Sequence, residues 1–178
     1  MWGLRTVPAA GSPALLGEPV AAALAEWKAP TPLGEVLVAP IAPGLADTAA
    51  CSAEYGIPLA ASANCVIVAA KRAGEVRYAA CVVLATTRAD VNGVVRKRLE
   101  ARKASFAPQE DAVRATGMEY GGITPVGLPA DWPVLVDSAV IEQPHVVIGS
   151  GLRGSKIVLP GHTVAELPGA ETVADLAR

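Results

Sequence analysis

The residues best suited to chemistry lie between Met118 and Gly127, where Gly121, Gly122, Gly127 and Pro125 fall within ten positions. The glycines let a ligand or another backbone come close, and Pro125 fixes its own φ and turns Thr124 away from helix. The expected result is a stiff loop with exposed amides. A second glycine stretch, Gly149-Ser150-Gly151-Leu152-Arg153-Gly154-Ser155-Lys156, follows the apolar run Val146 to Ile148. A strand should therefore deliver a glycine loop carrying two cations, Arg153 and Lys156. Two loops of this kind can form opposite walls of one pocket for an anionic substrate.

Other chemistries are poorly represented. The chain has no Gly-x-x-x-x-Gly-Lys-Ser/Thr, no Gly-x-Gly-x-x-Gly between strand and helix, and no Gly-x-Ser-x-Gly elbow. Cys51, Cys65 and Cys81 are odd in number and set among Ala and Val, so they read as small buried apolar residues and not as a disulfide framework. His145 and His162 share no ligand spacing with a cysteine or a carboxylate pair, so neither a metal site nor a cofactor is expected. Any hydrolysis would rest on positioned water, backbone amides and the substrate's own groups.

The elements that must position these loops belong to one domain. A chain of 178 residues buries about 70% of its unfolded surface. The apolar fraction, 52%, is mostly Ala and Val, so a core of small, closely packed side chains is expected. Fifteen Lys and Arg against seventeen Asp and Glu give a net charge of -2, which excludes a uniformly basic nucleic-acid binder and leaves room for a local basic patch. No apolar run reaches the roughly 18 residues of a membrane span, and the expected location is the cytoplasm.

Residues 1 to 34 read as a Gly/Pro/Ala-rich lead-in, extended or poorly ordered to residue 18, followed by a helix from Pro19 to Trp27 that packs on the domain. The domain proper spans 35 to 178. It should contain a strand at Glu35 to Val38, a helix capped by Asp47 or Thr48 and ended by Gly56, and a β-hairpin of Cys65 to Ala70 with Tyr78 to Leu84. Asp90 can cap a helix from Val91 to about Lys103, on which Arg98 and Arg102 border the buried row; they are either solvated stems covering apolar surface or a phosphate-contacting rim. A helix from Pro108 to Thr116, strands at Pro133 to Val136, Val146 to Ile148 and Ile157 to Leu159, and a closing helix from Ala170 to Ala177 complete the chain. Short strands with irregular helical spacing favour a mixed α/β fold, its mixed sheet curled into a barrel-like form flanked by helices.

Gly56-Ile57-Pro58-Leu59, the hairpin, Gly117 followed by Tyr120-Gly121-Gly122-Ile123-Thr124-Pro125, then Val136-Asp137 and Gly149-Ser150-Gly151-Leu152-Arg153-Gly154 occur in one order. This resembles the YbaK/EbsC family, which includes the editing insertion domain of bacterial prolyl-tRNA synthetases and free-standing aminoacyl-tRNA deacylases. The resemblance covers residues 35 to 178 and is most specific in Gly121 to Pro125 combined with the second glycine stretch. It implies hydrolysis of the ester joining a wrong, small amino acid to the terminal adenosine of tRNA. Gly121, Gly122 and Pro125 would form the catalytic loop. Asn64, Ile123, Thr124, Asp137, Gly149, Ser150, Gly151 and Arg153 would hold the substrate, and Arg98, Arg102 and Lys156 would contact the tRNA. The implied partners are the aminoacyl-tRNA acceptor end and, for an enzyme acting in trans, an aminoacyl-tRNA synthetase. Family members carry a lysine followed by threonine where this chain has Asn64-Cys65. Two readings therefore stand: a deacylase, or a non-catalytic tRNA- or nucleotide-binding member of the fold. Asp137 likewise either orients substrate or caps a turn.

Overall fold

The computed structural model describes residues 1–178. The hairpin is its longest feature: β3 (Ala63–Arg72) and β4 (Glu75–Leu84) pair antiparallel from Ala63 opposite Leu84 to Arg72 opposite Glu75. Ala73 and Gly74 close it at φ 51° and 81°, the two positive values that match a tight turn to the twist of its strands. β5 (Lys103–Phe106) pairs with the outer side of β3, while β6 (Val134–Asp137) and β9 (Ala170–Val173) add in parallel beyond β4, giving the order β5-β3-β4-β6-β9. A second, antiparallel sheet has the order β1-β2-β8-β7, from Val7–Pro8, Leu37–Pro40, Ser155–Leu159 and Val146–Gly149. The sheets meet where Ser62, just before β3, bridges in parallel to Val147 of β7. The fold is thus mixed α/β with helices outside, as expected, and its curled sheet stays open along the remaining edges.

The near-continuous apolar runs of these strands follow from burial on both faces. Ala80 and Val82 of β4, Val134 and Val136 of β6, Val146 and Ile148 of β7, and Ile157 and Leu159 of β8 share the central core. Their alternate neighbours Cys81, Val83 and Leu135 join a second cluster under Val91 and Val95. Val147 and Val158 join a third with Cys51, Ile57 and Leu4. Val and Ala fill these layers because β-branched and small side chains pack well on a pleated surface.

The helices are short and well capped. α1 (Glu18–Ala25) begins with a proline in its first turn. α2 (Thr48–Tyr55) is capped by Asp47, whose carboxylate accepts from the Ala49 and Ala50 amides, and ends at Gly56 in the left-handed region. α4 (Gln109–Thr116) ends in the same way at Gly117.

Three expectations are corrected. The helix predicted from Val91 to Lys103 is a π-turn at Val91–Val95 followed by α3 (Arg96–Arg98); it stops at Arg98, Glu100 turns the chain at φ 50°, and Lys103 starts β5. The predicted closing helix is strand β9, because β6 offers a free edge with which Ala170 to Val173 can pair. The first eighteen residues are ordered: Val7 and Pro8 pair with β2, and Ala9 and Leu16 enter the central core. No helix is long and apolar enough to cross a membrane.

Candidate active site

The two glycine stretches lock together, backbone to backbone. Gly151 N donates to Gly122 O at 2.7 Å, Glu119 N to Gly151 O at 3.0 Å, and Gly122 N to Glu119 O at 2.9 Å. Arg153 fastens the same contact, its amide donating to Glu119 Oε2 at 2.7 Å and its guanidinium to Tyr120 O at 2.9 Å and Pro43 O at 3.2 Å. The expected opposite walls are therefore one composite wall. Facing chain comes instead from the start of β3 and the N-terminus of α2, and the seam between the sheets forms the floor.

A cavity of about 330 Å³ lies there, lined by Asp47 and Thr48 of α2, Asn64 and Cys65 of β3, Val147 to Gly149 of β7, and Tyr120, Gly121 and Ile123 of the loop, with Arg153 and Lys156. Local chemistry explains each position. Gly121 sits at φ 84°, a conformation that costs other residues about 1 kcal/mol or more. Gly121 and Ile123 both line the cavity, and their amides donate to no protein acceptor. Amides free at such a site can receive developing negative charge. The Thr48 hydroxyl donates to Asn64 Oδ1 at 2.6 Å, which leaves the Asn64 Nδ2 group as the available donor.

Lys156 is only 7% exposed and donates from Nζ to Ala46 O at 2.9 Å and Gly121 O at 3.3 Å. Burial lowers its pKa from the ordinary lysine value, with Cys51 and Asp47 acting in the opposite sense. Burial raises all three thiols, Cys81 to about 12, so these cysteines are poor nucleophiles near neutral pH.

Of the residues expected from sequence, Asn64, Gly121, Ile123, Gly149, Arg153 and Lys156 line the cavity. Gly122, Thr124, Pro125, Ser150 and Gly151 stand behind it and shape it. Gly122 and Gly151 carry the loop-to-loop bond, and Ser150 Oγ shares a 2.7 Å bond with Ser155 Oγ. Thr124 is fully buried, its hydroxyl without a partner. Arg98 and Arg102 are remote from the cavity lining: Arg98 pairs with Glu171 at 3.2 Å, and Arg102 leads into β5, its amide bonded to Lys71 O. Asp47, Thr48, Cys51 and Ser62 line the cavity without having been singled out as site residues. The helix cap at Asp47 was visible in the sequence, but its approach to β3 is a tertiary event.

Of the two readings of Asp137, the structure shows the cap and not a place in the cavity. It is 6% exposed and absent from the cavity lining, and both oxygens are used: Oδ1 accepts from Ala139 N and Oδ2 from Ala177 N, each at 2.9 Å. It caps α5 (Ser138–Ile141) and ties down the C-terminus. Asp137→Ala should cost about 2 kcal/mol, lowering the melting temperature by about 4 to 8 °C, because two partly buried donors lose their acceptor. Thermal melts followed by circular dichroism check this, and an unchanged midpoint would count against the structural role.

Comparison with known proteins gives a family and a fold. A family model described as an aminoacyl-tRNA editing domain matches residues 42–167. A solved structure described as a proposed trans-editing enzyme for prolyl tRNA synthetase superposes with a TM-score of 0.74 at 17% identity, covering 89% of this chain and 94% of that one. A hypothetical protein matches with a TM-score of 0.67 at 23% identity over 80% of this chain and 90% of its own. A larger chain from Marinobacter aquaeolei, described as a proposed signal transduction protein, matches at 0.56 and 21% identity, over 89% of this chain and 30% of that one. At these identities the likenesses establish the fold.

Proposed function

The chain belongs to the aminoacyl-tRNA editing domain family, and from that premise we propose that it is a trans-acting deacylase that hydrolyses the ester of a tRNA carrying a wrong, small amino acid. The observation that carries this reading is the pair of unpartnered amides, Gly121 and Ile123, in a cavity lined by both apolar groups and cations. Water adds to the ester carbonyl carbon, and the resulting oxyanion is received by these amides. The bond from that carbon to the ribose oxygen then breaks, and the proton from water passes to the departing ribose hydroxyl. An ester is already reactive, so placing the water and stabilising the oxyanion can supply the rate without a nucleophilic side chain. Val147, Ile148, Cys65 and Ala63 give the amino-acid side chain an apolar seat, and the cavity volume of about 330 Å³ suits a small residue next to a ribose.

The deciding experiment is deacylation of alanyl-, prolyl-, cysteinyl- and seryl-tRNA at matched concentration, against a control without enzyme for spontaneous ester loss. Selective hydrolysis of one of them is the expected outcome. One observation favours a second reading, a tRNA- or nucleotide-binding protein without turnover: Asn64 stands where the resemblance leads one to expect a lysine. Salt-sensitive tRNA binding with no hydrolysis above background would select it.

A further inference from the structure

Asn64 contributes no charge to the cavity, and its Oδ1 is already taken by Thr48. Two arginines could compensate, and each already has a structural task. Arg98 is paired with Glu171 outside the cavity, and Arg153, half-buried in the wall, has two of its five N–H groups on Tyr120 O and Pro43 O, where it fastens the loops to one another. Lys156 differs from both in being buried. Its ammonium carries three protons, of which Ala46 O and Gly121 O take two, and no carboxylate lies within ion-pair distance of it. A buried cation without a counter-ion is costly to keep, and an arriving anion would relieve that cost. The side chain reaches the cavity from β8, in the sheet across the seam from β3.

We infer that Lys156 is the group that binds a phosphate of the tRNA acceptor end, with Asn64 Nδ2 as its uncharged partner, so that the charge missing from β3 is delivered from the other sheet. This rests on the reading of the cavity as an acceptor-end site. The same ammonium holds Gly121 O, so phosphate binding and the placement of the loop amides depend on one side chain.

The test measures binding of uncharged tRNA and of an acceptor-stem microhelix ending in CCA, by fluorescence anisotropy across a salt series, for the wild type, Lys156→Gln, Lys156→Arg and the double variant Asn64→Lys/Lys156→Gln. Deacylation is followed in parallel, and thermal melts confirm folding. Lys156→Gln should bind about 10-fold more weakly, and the slope of log affinity against log salt should become shallower by about 0.7, the loss of one ionic contact to a single strand. Lys156→Arg should keep most of the salt slope, and the double variant should regain binding because the charge has been moved to β3. Wild-type affinity and slope in Lys156→Gln would overturn the assignment whatever the deacylation panel gives, and so would absence of binding by the wild type. Lysine-dependent binding without hydrolysis of any substrate would overturn the deacylase reading and leave the assignment of Lys156 standing. Should Lys156→Gln not fold, the side-chain ε-methylene resonance of Lys156 in the wild type gives the same decision: a shift on titration with the microhelix supports the assignment, and no shift overturns it.

Discussion

Replacing Gly121 by alanine should reduce deacylation by about 100-fold or more while leaving the protein folded. Gly121 takes φ 84°, and a Cβ there would lie 2.8 Å from Arg153 Nη1 and 3.3 Å from the Ala46 Cβ. The first obstacle is the far end of a flexible side chain, so the fold can yield by moving the guanidinium. That movement gives up the bonds from Arg153 to Tyr120 O and Pro43 O, and the strained φ adds about 1 kcal/mol. The loop then relaxes and its amides no longer converge on one point. Geometric errors of about 1 Å are enough to cost two orders of magnitude in rate. The melting temperature should fall by only a few degrees, about 2 to 4 °C per kcal/mol at this chain length. Single-turnover hydrolysis beside a thermal melt separates the two effects, and full activity in the variant would remove this loop from the mechanism.

Gly149→Ala should show the reverse emphasis, with a larger loss of stability than Gly121→Ala. A Cβ at Gly149 would meet Gly122 O, Ile123 O at 2.6 Å and Gly122 C at 2.8 Å, all of them backbone atoms. Nothing there can rotate aside, so the two glycine loops must part, and the bond from Gly151 N to Gly122 O goes with them. Overpacking of this kind costs about 3 kcal/mol, or a fall in melting temperature of about 6 to 12 °C. Gly44→Ala is the matched control, since a Cβ there meets nothing within 4 Å. Urea denaturation of both variants checks the difference, and equal midpoints would show that the loops are not held at the separation described.

Much of this was legible in the sequence where the signal is local. The hairpin announces itself through two apolar runs around a turn at Ala73 and Gly74, and Asp47, Gly56 and Gly117 mark helix ends with cap chemistry that depends on a few neighbouring residues. The first glycine loop was visible because glycines and a proline at that spacing exclude regular structure. Elements fixed by distant partners were harder to read. Residues Ala170 to Val173 are too few to form a stable helix alone, and only the free edge of β6 makes them a strand. The convergence of cations was equally hidden. Arg98 and Arg102 looked well placed on a long helix that in fact ends at Arg98, whereas Lys156 reaches the cavity because the pleat of β8 sends alternate side chains to opposite faces. Thr48 and Asn64 are sixteen positions apart, and their hydrogen bond exists only once α2 has docked beside β3.

The ordered N-terminal segment extends the folding unit beyond the residues that match the family model. The family model begins at residue 42, yet Gly17 N donates to Ser150 O at 2.8 Å, Ser155 Oγ to Leu15 O at 2.6 Å, and a Cβ on Gly17 would lie 2.9 Å from the Gly151 Cα. The chemistry-bearing face of the second glycine loop thus falls within the shared pattern, while its rear support comes from residues outside it. A segment that lies before the matched residues thus acts as the backstop against which the second glycine loop is held in shape.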